Sequence, residues 1–285
     1  MSEQDTFTLG GDLEVRRFGY GAMRITGPGI WGEPPDPAGA RALLRRVVEA
    51  GVNLIDTADS YGPEVSESLI AEALHPYPDD LVIATKGGLE RPGPGRWEPA
   101  CRPERIRRCC EESLRRLKLE RIDIYQLHAV DPKVPIEDSI GALAELQEEG
   151  KIRHAAVCNV NTEQLERARA IVELVSVQNR YNVADRGSEE VLEVCARDGL
   201  GFLPWRPLET GRLTEPEGPL GRIAREHSAT PGQVALAWLL RHSPVMLPIP
   251  GTGSIEHFEE NLEAASLELS EEDLDVLGEV ARPVA

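Results

Sequence analysis

Eight short apolar runs alternate with amphipathic stretches along this chain of 285 residues, and that alternation narrows the available folds more than any other feature. The runs are "RFGYGA" (17–22), "VNLID" (52–56), "LVIAT" (81–85), "IDIYQLH" (122–128), "IRHAAV" (152–157), "LVSVQ" (174–178), "LGFLPW" (200–205) and "VMLPIP" (245–250). Each has the length and apolar make-up of a strand covered on both faces, as in a parallel sheet. Between them, "DPAGARALLRRVVEA", "SESLIAEAL", "RPERIRRCCEESLRRL", "IEDSIGALAELQEEG", "NTEQLERARAIVE" and "SEEVLEVCARDG" place apolar residues three and four apart, the helical spacing. Asp36 before Pro37 reads as an N-cap followed by a first-turn proline. Gly51, Gly150 and Gly199 stand where helices end. No Ser/Gly-rich linker interrupts the series. The sequence therefore predicts an α/β fold, a single (β/α)8 barrel over residues 1–285, the size such barrels have. "FTLGGDLEV" ahead of the first run predicts an N-terminal β-hairpin turning at Gly10–Gly11. A C-terminal helical extension is expected after the eighth run.

Apolar residues make up 41% of the chain, enough for a full core. The net charge of −18 argues against nucleic-acid binding, which needs basic patches. No apolar run approaches the ~20 residues of a membrane helix. The acidic start "MSEQDTFTLGGDLEV" is not expected to be a signal peptide. The five cysteines (Cys101, Cys109, Cys110, Cys158, Cys195) form no CxxC pair, so reduced thiols in a cytoplasmic protein are expected. Gly19-Tyr-Gly21 has Arg24 where a dinucleotide fingerprint needs its third glycine, and Gly251-Thr-Gly253 has Glu256 there. A Rossmann domain is therefore not predicted.

In a barrel of this kind the active site gathers at the C-terminal ends of the strands. Asp56 ends the second run, Lys86 follows the third, His128 ends the fourth, and Tyr61 lies in the loop after the second. Each alone has an ordinary reading: a loop cap, a solvated lysine, a core histidine, an anchoring ring. Together they describe an acid–base site. A phenol titrates near ~10 and becomes a useful proton donor when a cation stabilises its anion. Lys86 would be that cation, Asp56 would hold it, and His128 would orient a carbonyl oxygen. This is the arrangement for general-acid reduction of a carbonyl, with Tyr61 delivering the proton.

The segments "IDTADSYG", "ATKGG", "YQLH", "VQNRYN" and "IPGTGSIEHFEENLEA" resemble those of the aldo-keto reductase family, in the family's order and over nearly the whole chain. The resemblance implies a nicotinamide cofactor bound without a Rossmann fold, no metal, and Asp56, Tyr61, Lys86 and His128 as the catalytic tetrad. It assigns the nicotinamide carboxamide to Asn159 beside Gln178, with Cys158 standing where the family commonly has a serine. Trp205 matches the aromatic that stacks on the nicotinamide ring. Leu208 and Gly211 would approach the pyrophosphate, and Thr252, Ser254, His257, Glu260 and Asn261 the adenosine end. NADPH is the expected cofactor and NADH the alternative. Gly251 and His257 stand where many members place the cations for the 2′-phosphate, and Arg206 follows Trp205 where a smaller or apolar residue is frequent.

The loops "MRITGPGIWGEPPD" (23–36) and "GGLERPGPGRWEPACR" (87–102) are expected to wall the substrate pocket, with Met23, Trp31, Trp97 and Ala129 facing it. Similarity to a bacterial subgroup that includes pyridoxal reductases makes pyridoxal the leading candidate among small-molecule carbonyl substrates, with a broad aldehyde or a biosynthetic ketone as alternatives. Two further classes stay open. One is a cofactor-binding regulatory protein on the same barrel. The other is a non-redox acid–base enzyme such as an isomerase or dehydratase. The expected state is a monomer.

Overall fold

The computed structural model describes residues 6–209 and 217–280. The chain begins with β1 (Thr6–Leu9) and β2 (Leu13–Arg16), which pair antiparallel around Gly10–Asp12. Gly10 and Gly11 both adopt positive φ, at 60° and 77°, which side chains with a Cβ rarely tolerate. Then follow β3 (Tyr20–Gly21), α1 (Pro37–Glu49), β4 (Leu54–Asp56), α2 (Val65–Leu74) and β5 (Val82–Gly87). An antiparallel pair, β6 (Leu89–Gly93) and β7 (Arg96–Pro99), precedes α3 (Pro103–Leu117). The alternation resumes with β8 (Ile122–Leu127), α4 (Ile136–Glu148), β9 (Ile152–Cys158), α5 (Thr162–Arg169), β10 (Leu174–Arg180), α6 (Glu189–Asp198) and β11 (Gly201–Trp205). Four helices complete the described chain: α7 (Gly218–Glu226), α8 (Pro231–His242), α9 (Ile255–Glu263) and α10 (Glu271–Glu279).

The main sheet is parallel and seven-stranded, in the order β11-β10-β9-β8-β5-β4-β3. The eighth expected strand, 245–250, is not a regular strand. Pro248 and Pro250 carry no N–H, so the segment cannot sustain a ladder. It is nonetheless bonded on both sides. Phe202 N donates to Val245 O and Leu247 N to Phe202 O, both at 2.8 Å, while Gly19 N donates to Pro248 O at 3.0 Å. The first expected strand, 17–22, shrinks to two residues. The expected wall loop 87–102 carries the β6–β7 pair, whose side chains show no strand-like alternation of apolar and polar. The helix signals hold: Asp36 caps α1 through Gly39 N, and Gly199 closes α6 at φ 72°.

Side chains along a strand alternate between faces. One face of the curled sheet is apolar at its lower level, where Leu54, Ala84, Ile124, Ala156 and Leu203 pack with Leu247 from the irregular segment. Leu9, Leu13 and Val15 of the β1–β2 pair join the same cluster. Two residues after Leu54, Ala84, Ile124 and Ala156 the same face carries Asp56, Lys86, Gln126 and Cys158, and Gln178 of β10 lies level with Cys158. The sheet's outer face meets the helices through a larger cluster that includes Tyr125, Val157, Val177 and Phe202.

Candidate active site

The five residues one step above the apolar layer form a closed polar cluster. Lys86 is fully buried, and its Nζ donates to Asp56 Oδ2 at 2.6 Å, to Thr57 O at 2.8 Å and to Tyr61 Oη at 3.2 Å. The other oxygen of Asp56 accepts from Gln126 Nε2 at 2.9 Å and Gln178 Nε2 at 2.8 Å. A buried ion pair is tolerable only when its remaining hydrogen-bonding capacity is met, and here it is. The register that brings these groups together comes from the sheet: Asp56 lies opposite Ala84, Lys86 opposite Gln126, and Gln178 opposite Cys158.

Tyr61 enters from the loop after β4, 6% exposed. The Lys86 ammonium sits 4.9 Å from its ring centroid. Burial raises the phenol and Lys86 pulls it back, leaving it at about 12, so Tyr61 holds its proton at neutral pH. Lys86 is raised as well. Burial, the largest single cause, acts to lower it, but Asp56, Tyr61 and Cys158 together outweigh burial, and the net displacement is upward. His128 is held well below its usual value by burial, then by Lys86 and Arg91, and is neutral. Its Nδ1 lies 3.3 Å from Ser60 Oγ. The rings of Tyr61, His128 and Trp97 meet edge to face, with centroids 5.8 to 6.4 Å apart.

Of the residues expected around the cofactor, Asn159 follows β9 and ends at an exposed position with φ 58°. Its amide bridges the rim, donating to His128 O at 3.0 Å and accepting from Trp205 Nε1 at 2.9 Å. Trp205, at the end of β11, is half-buried, flanked by the Arg180 and Arg206 guanidiniums at 6.0 and 5.7 Å from its ring. Cys158 is 1% exposed, its thiol pushed up by burial and donating to Gln126 Oε1 at 3.4 Å. Thr252 is buried, and its carbonyl accepts from Tyr20 Oη at 2.6 Å. Ser254 caps α9 through His257 N, and the His257 side chain is exposed. Glu260 accepts from Thr230 Oγ1 at 2.8 Å, tying α9 to the start of α8, and Asn261 is half-buried on the same helix. Leu208 packs on the outer core, and Gly211 lies outside the described residues.

Of the expected pocket residues, Trp97 adjoins Tyr61 and His128, and Trp31 bridges to Gly62 across the rim. Met23 and Ala129 are half-buried. Among the described residues no group of three or more His, Cys, Asp or Glu is placed to hold a metal. No described helix is long and apolar enough to cross a membrane.

Four contributors were missed from sequence. Gln126 stands two residues before His128, so strand alternation could have found it. Ser60 carries no signal beyond its place in the Tyr61 loop. Arg24 lies against the 251–253 loop, since a Cβ on Gly251 would come 3.7 Å from its Cγ. Arg91 is buried in a stretch whose composition predicts exposure.

A buried cation against a proton-bearing phenol, with a neutral imidazole beside it, is an arrangement chemically able to pass a proton to an oxygen. The chain belongs to the Aldo/keto reductase family, whose model matches residues 17–282, and is an NAD(P)H-dependent oxidoreductase. Among its relatives, an uncharacterized oxidoreductase of Schizosaccharomyces pombe is 48% identical over 262 residues, covering 92% of this chain and 85% of that protein. Pyridoxine 4-dehydrogenase of Escherichia coli is 43% identical over 284 residues, covering 98% and 99%. Among solved structures, a glycerol dehydrogenase from Gluconobacter oxydans superposes with a TM-score of 0.89 at 27% identity, covering 100% of this chain and 98% of that one. An aldo/keto reductase from Klebsiella pneumoniae in complex with NADP and acetate gives 0.82 at 28% identity, covering 99% and 97%.

Proposed function

We propose that this protein reduces the carbonyl group of a small substrate with NADPH, using Tyr61 as general acid, and that pyridoxal is among its substrates. The observation that carries the reading is the 3.2 Å contact of Lys86 Nζ with Tyr61 Oη, beside a buried ion pair whose ammonium and both carboxylate oxygens are bonded. Support for pyridoxal comes from the 43% identity to pyridoxine 4-dehydrogenase over almost the entire chain.

The residues present fit a nicotinamide cofactor. Trp205 is a half-buried ring held at a strand end by Asn159 rather than packed in the core, and Asn159 keeps a positive φ, strain of the kind that collects at binding sites. In this reading Asn159 and the free Oε1 of Gln178 hold the carboxamide, Trp205 stacks on the ring, and Cys158 acts through Gln126. Leu208 approaches the pyrophosphate. Thr252, Ser254, His257, Glu260 and Asn261 frame the adenosine end at the start of α9, where backbone N–H groups favour anions. Arg24 and Arg206 supply positive groups for the phosphates of a cofactor bound by an acidic protein, and His257 an exposed ring for a hydrogen bond. The 245–250 segment takes the eighth place of the barrel, the five free, buried thiols suit a cytoplasmic protein, and a monomer is the state the family resemblance implies.

When bound, NADPH supplies the hydride. Tyr61 passes its proton to the carbonyl oxygen, and the phenolate left behind is stabilised by Lys86. Asp56 keeps Lys86 charged and aimed. In the tautomer where Ser60 Oγ is the donor to His128 Nδ1, the ring proton sits on Nε2 and orients the same oxygen. In the oxidative direction the phenolate is the base. Below a phenol value of about 12, the phenolate fraction grows about tenfold per pH unit. Alcohol oxidation is therefore expected to rise steadily from pH 7 to 10, while a flat kcat/KM profile would remove Tyr61 as the base.

The deciding assay follows NADPH absorbance with purified protein, pyridoxal and a panel of aldehydes. Turnover of pyridoxal is the expected result. No rate at millimolar pyridoxal removes that substrate. Tight NADPH binding with no turnover on any carbonyl replaces the reductase reading with a regulatory one, and product without cofactor consumption replaces it with non-redox acid–base chemistry.

A further inference from the structure

The β6–β7 pair stands over the rim with almost nothing apolar beneath it. Between residues 89 and 99, Arg91 is the one buried side chain. An isolated two-stranded pair is marginal on its own, and this one also sets Glu90 opposite Glu98, a like-charge cross-strand pair that works against it. Gly95 N donates to Gly29 O at 3.3 Å, and Arg105 lies 3.7 Å from Glu90, but the one buried fastening is Arg91. Its Nη1 donates to Ser60 O at 2.7 Å, in the Tyr61 loop. Its Nη2 donates to Gly29 O at 3.1 Å, in the Trp31 loop. Its Nε donates to Arg96 O at 2.9 Å, across its own pair. The guanidinium also lies 3.6 Å from the Trp97 ring centroid. One planar group thus joins three segments and fixes the face of the ring that adjoins Tyr61 and His128, a task suited to the rigid fork of arginine.

We propose that Arg91 is the positioning residue that sets substrate range: it clasps the 89–99 pair to the rim so that Trp97 walls a slot beside Tyr61, and the slot selects flat aromatic carbonyls over aliphatic ones. Arg91 acts through Trp97, since all three of its bonds go to backbone oxygens. The inference rests on the carbonyl-reductase reading.

The test compares kcat and KM of the full-length enzyme, with saturating NADPH, for pyridine-4-carbaldehyde and for butanal. Variants are Arg91→Gln, Arg91→Lys, Trp97→Ala and the double variant Arg91→Gln/Trp97→Ala. Arg91→Gln is expected to lower the aromatic-to-aliphatic ratio of kcat/KM by about tenfold, the scale of one lost desolvated cation–π contact, mostly through KM of the aromatic aldehyde. Lysine keeps the charge but not the fork and should restore little. The double variant should lose no more selectivity than Trp97→Ala alone, because coupled residues are not additive. An unchanged ratio in Arg91→Gln, additive losses in the double variant, or an equal fall in kcat for both aldehydes would overturn the proposal. If the wild-type enzyme reduces neither aldehyde nor any other carbonyl, the reductase reading fails instead.

Discussion

Replacing Tyr61 with phenylalanine is expected to cut carbonyl reduction by about 10²–10⁴-fold, the loss that follows removal of a positioned general acid, while the protein stays folded and still binds NADPH. The substitution deletes only Oη. The ring's edge contacts with Trp97 and His128, at 6.2 and 5.8 Å, do not involve that atom. The hydrogen bond given up is the one from Lys86, whose ammonium keeps Asp56 and Thr57 O as partners. The fold should therefore barely register the change. No neighbour can take over the proton. His128 is neutral and held well below its usual value, and Lys86 is committed to Asp56. Single-turnover reduction, with cofactor affinity measured separately by fluorescence, isolates the chemical step. Wild-type turnover in the variant would remove Tyr61 from the mechanism. A loss that appears only as weaker NADPH binding would reassign it to a structural role.

That Asp56, Tyr61, Lys86 and His128 gather at one rim was legible because strand ends are readable from sequence. An apolar run that stops at an acid, a lysine or a histidine announces both the end of the strand and the side of the sheet where the site lies. Period-two alternation carried more than was taken from it, since Leu54/Asp56, Ala84/Lys86, Ile124/Gln126 and Ala156/Cys158 are all steps of two along one face. Gln126 follows from that rule once Ile124 is recognised as interior. Other features have no local signal. The first strand is short because Gly19 and Gly21 are dictated by contact, not by strand propensity. A Cβ on Gly21 would lie 2.6 Å from Ile249 O, and one on Gly19 3.0 Å from Ile249 Cγ2. Partners over two hundred residues distant decide those positions. Arg91 was hidden for the same reason: a charged residue in a Gly/Pro-rich stretch reads as solvent-facing, and its burial depends on carbonyls at residues 29 and 60. Asp59 is a third case. Burial, then the Glu67 carboxylate, pushes it up to about 7, and nothing in "TADSYG" marks it as different from any loop acid.

An Asp56→Asn variant is expected to lose both activity and about 3–5 kcal/mol of stability, the usual cost of leaving one member of a buried pair without its counter-charge. The geometry explains why an isosteric change is so damaging. Three donors converge on the carboxylate: Lys86 Nζ, Gln126 Nε2 and Gln178 Nε2. An amide offers one oxygen and two more donors, so whichever way it is turned at least one buried N–H faces another. The pH dependence should also change sign. In the wild-type protein Lys86 is raised above its ordinary 10.5, so its contribution is complete below that pH and is lost only as pH rises further. Without Asp56, burial, the largest single cause acting on Lys86, pushes it down with no carboxylate to oppose it. The unfolded chain then binds more protons than the folded one over the interval below 10.5, and stability has to rise with pH there. Urea unfolding of both proteins at pH 7, 8 and 9.5 reads the difference directly. The wild-type protein should gain nothing from Lys86 across that range, whereas the variant should become progressively more stable relative to it. Tyr61, deprived of a fully charged neighbour, should show slower alcohol oxidation throughout the same interval. A variant that loses under 1 kcal/mol and tracks the wild-type pH curve would mean that Gln126, Gln178 and Thr57 are enough to hold the ammonium, and that Asp56 is not what keeps Lys86 charged.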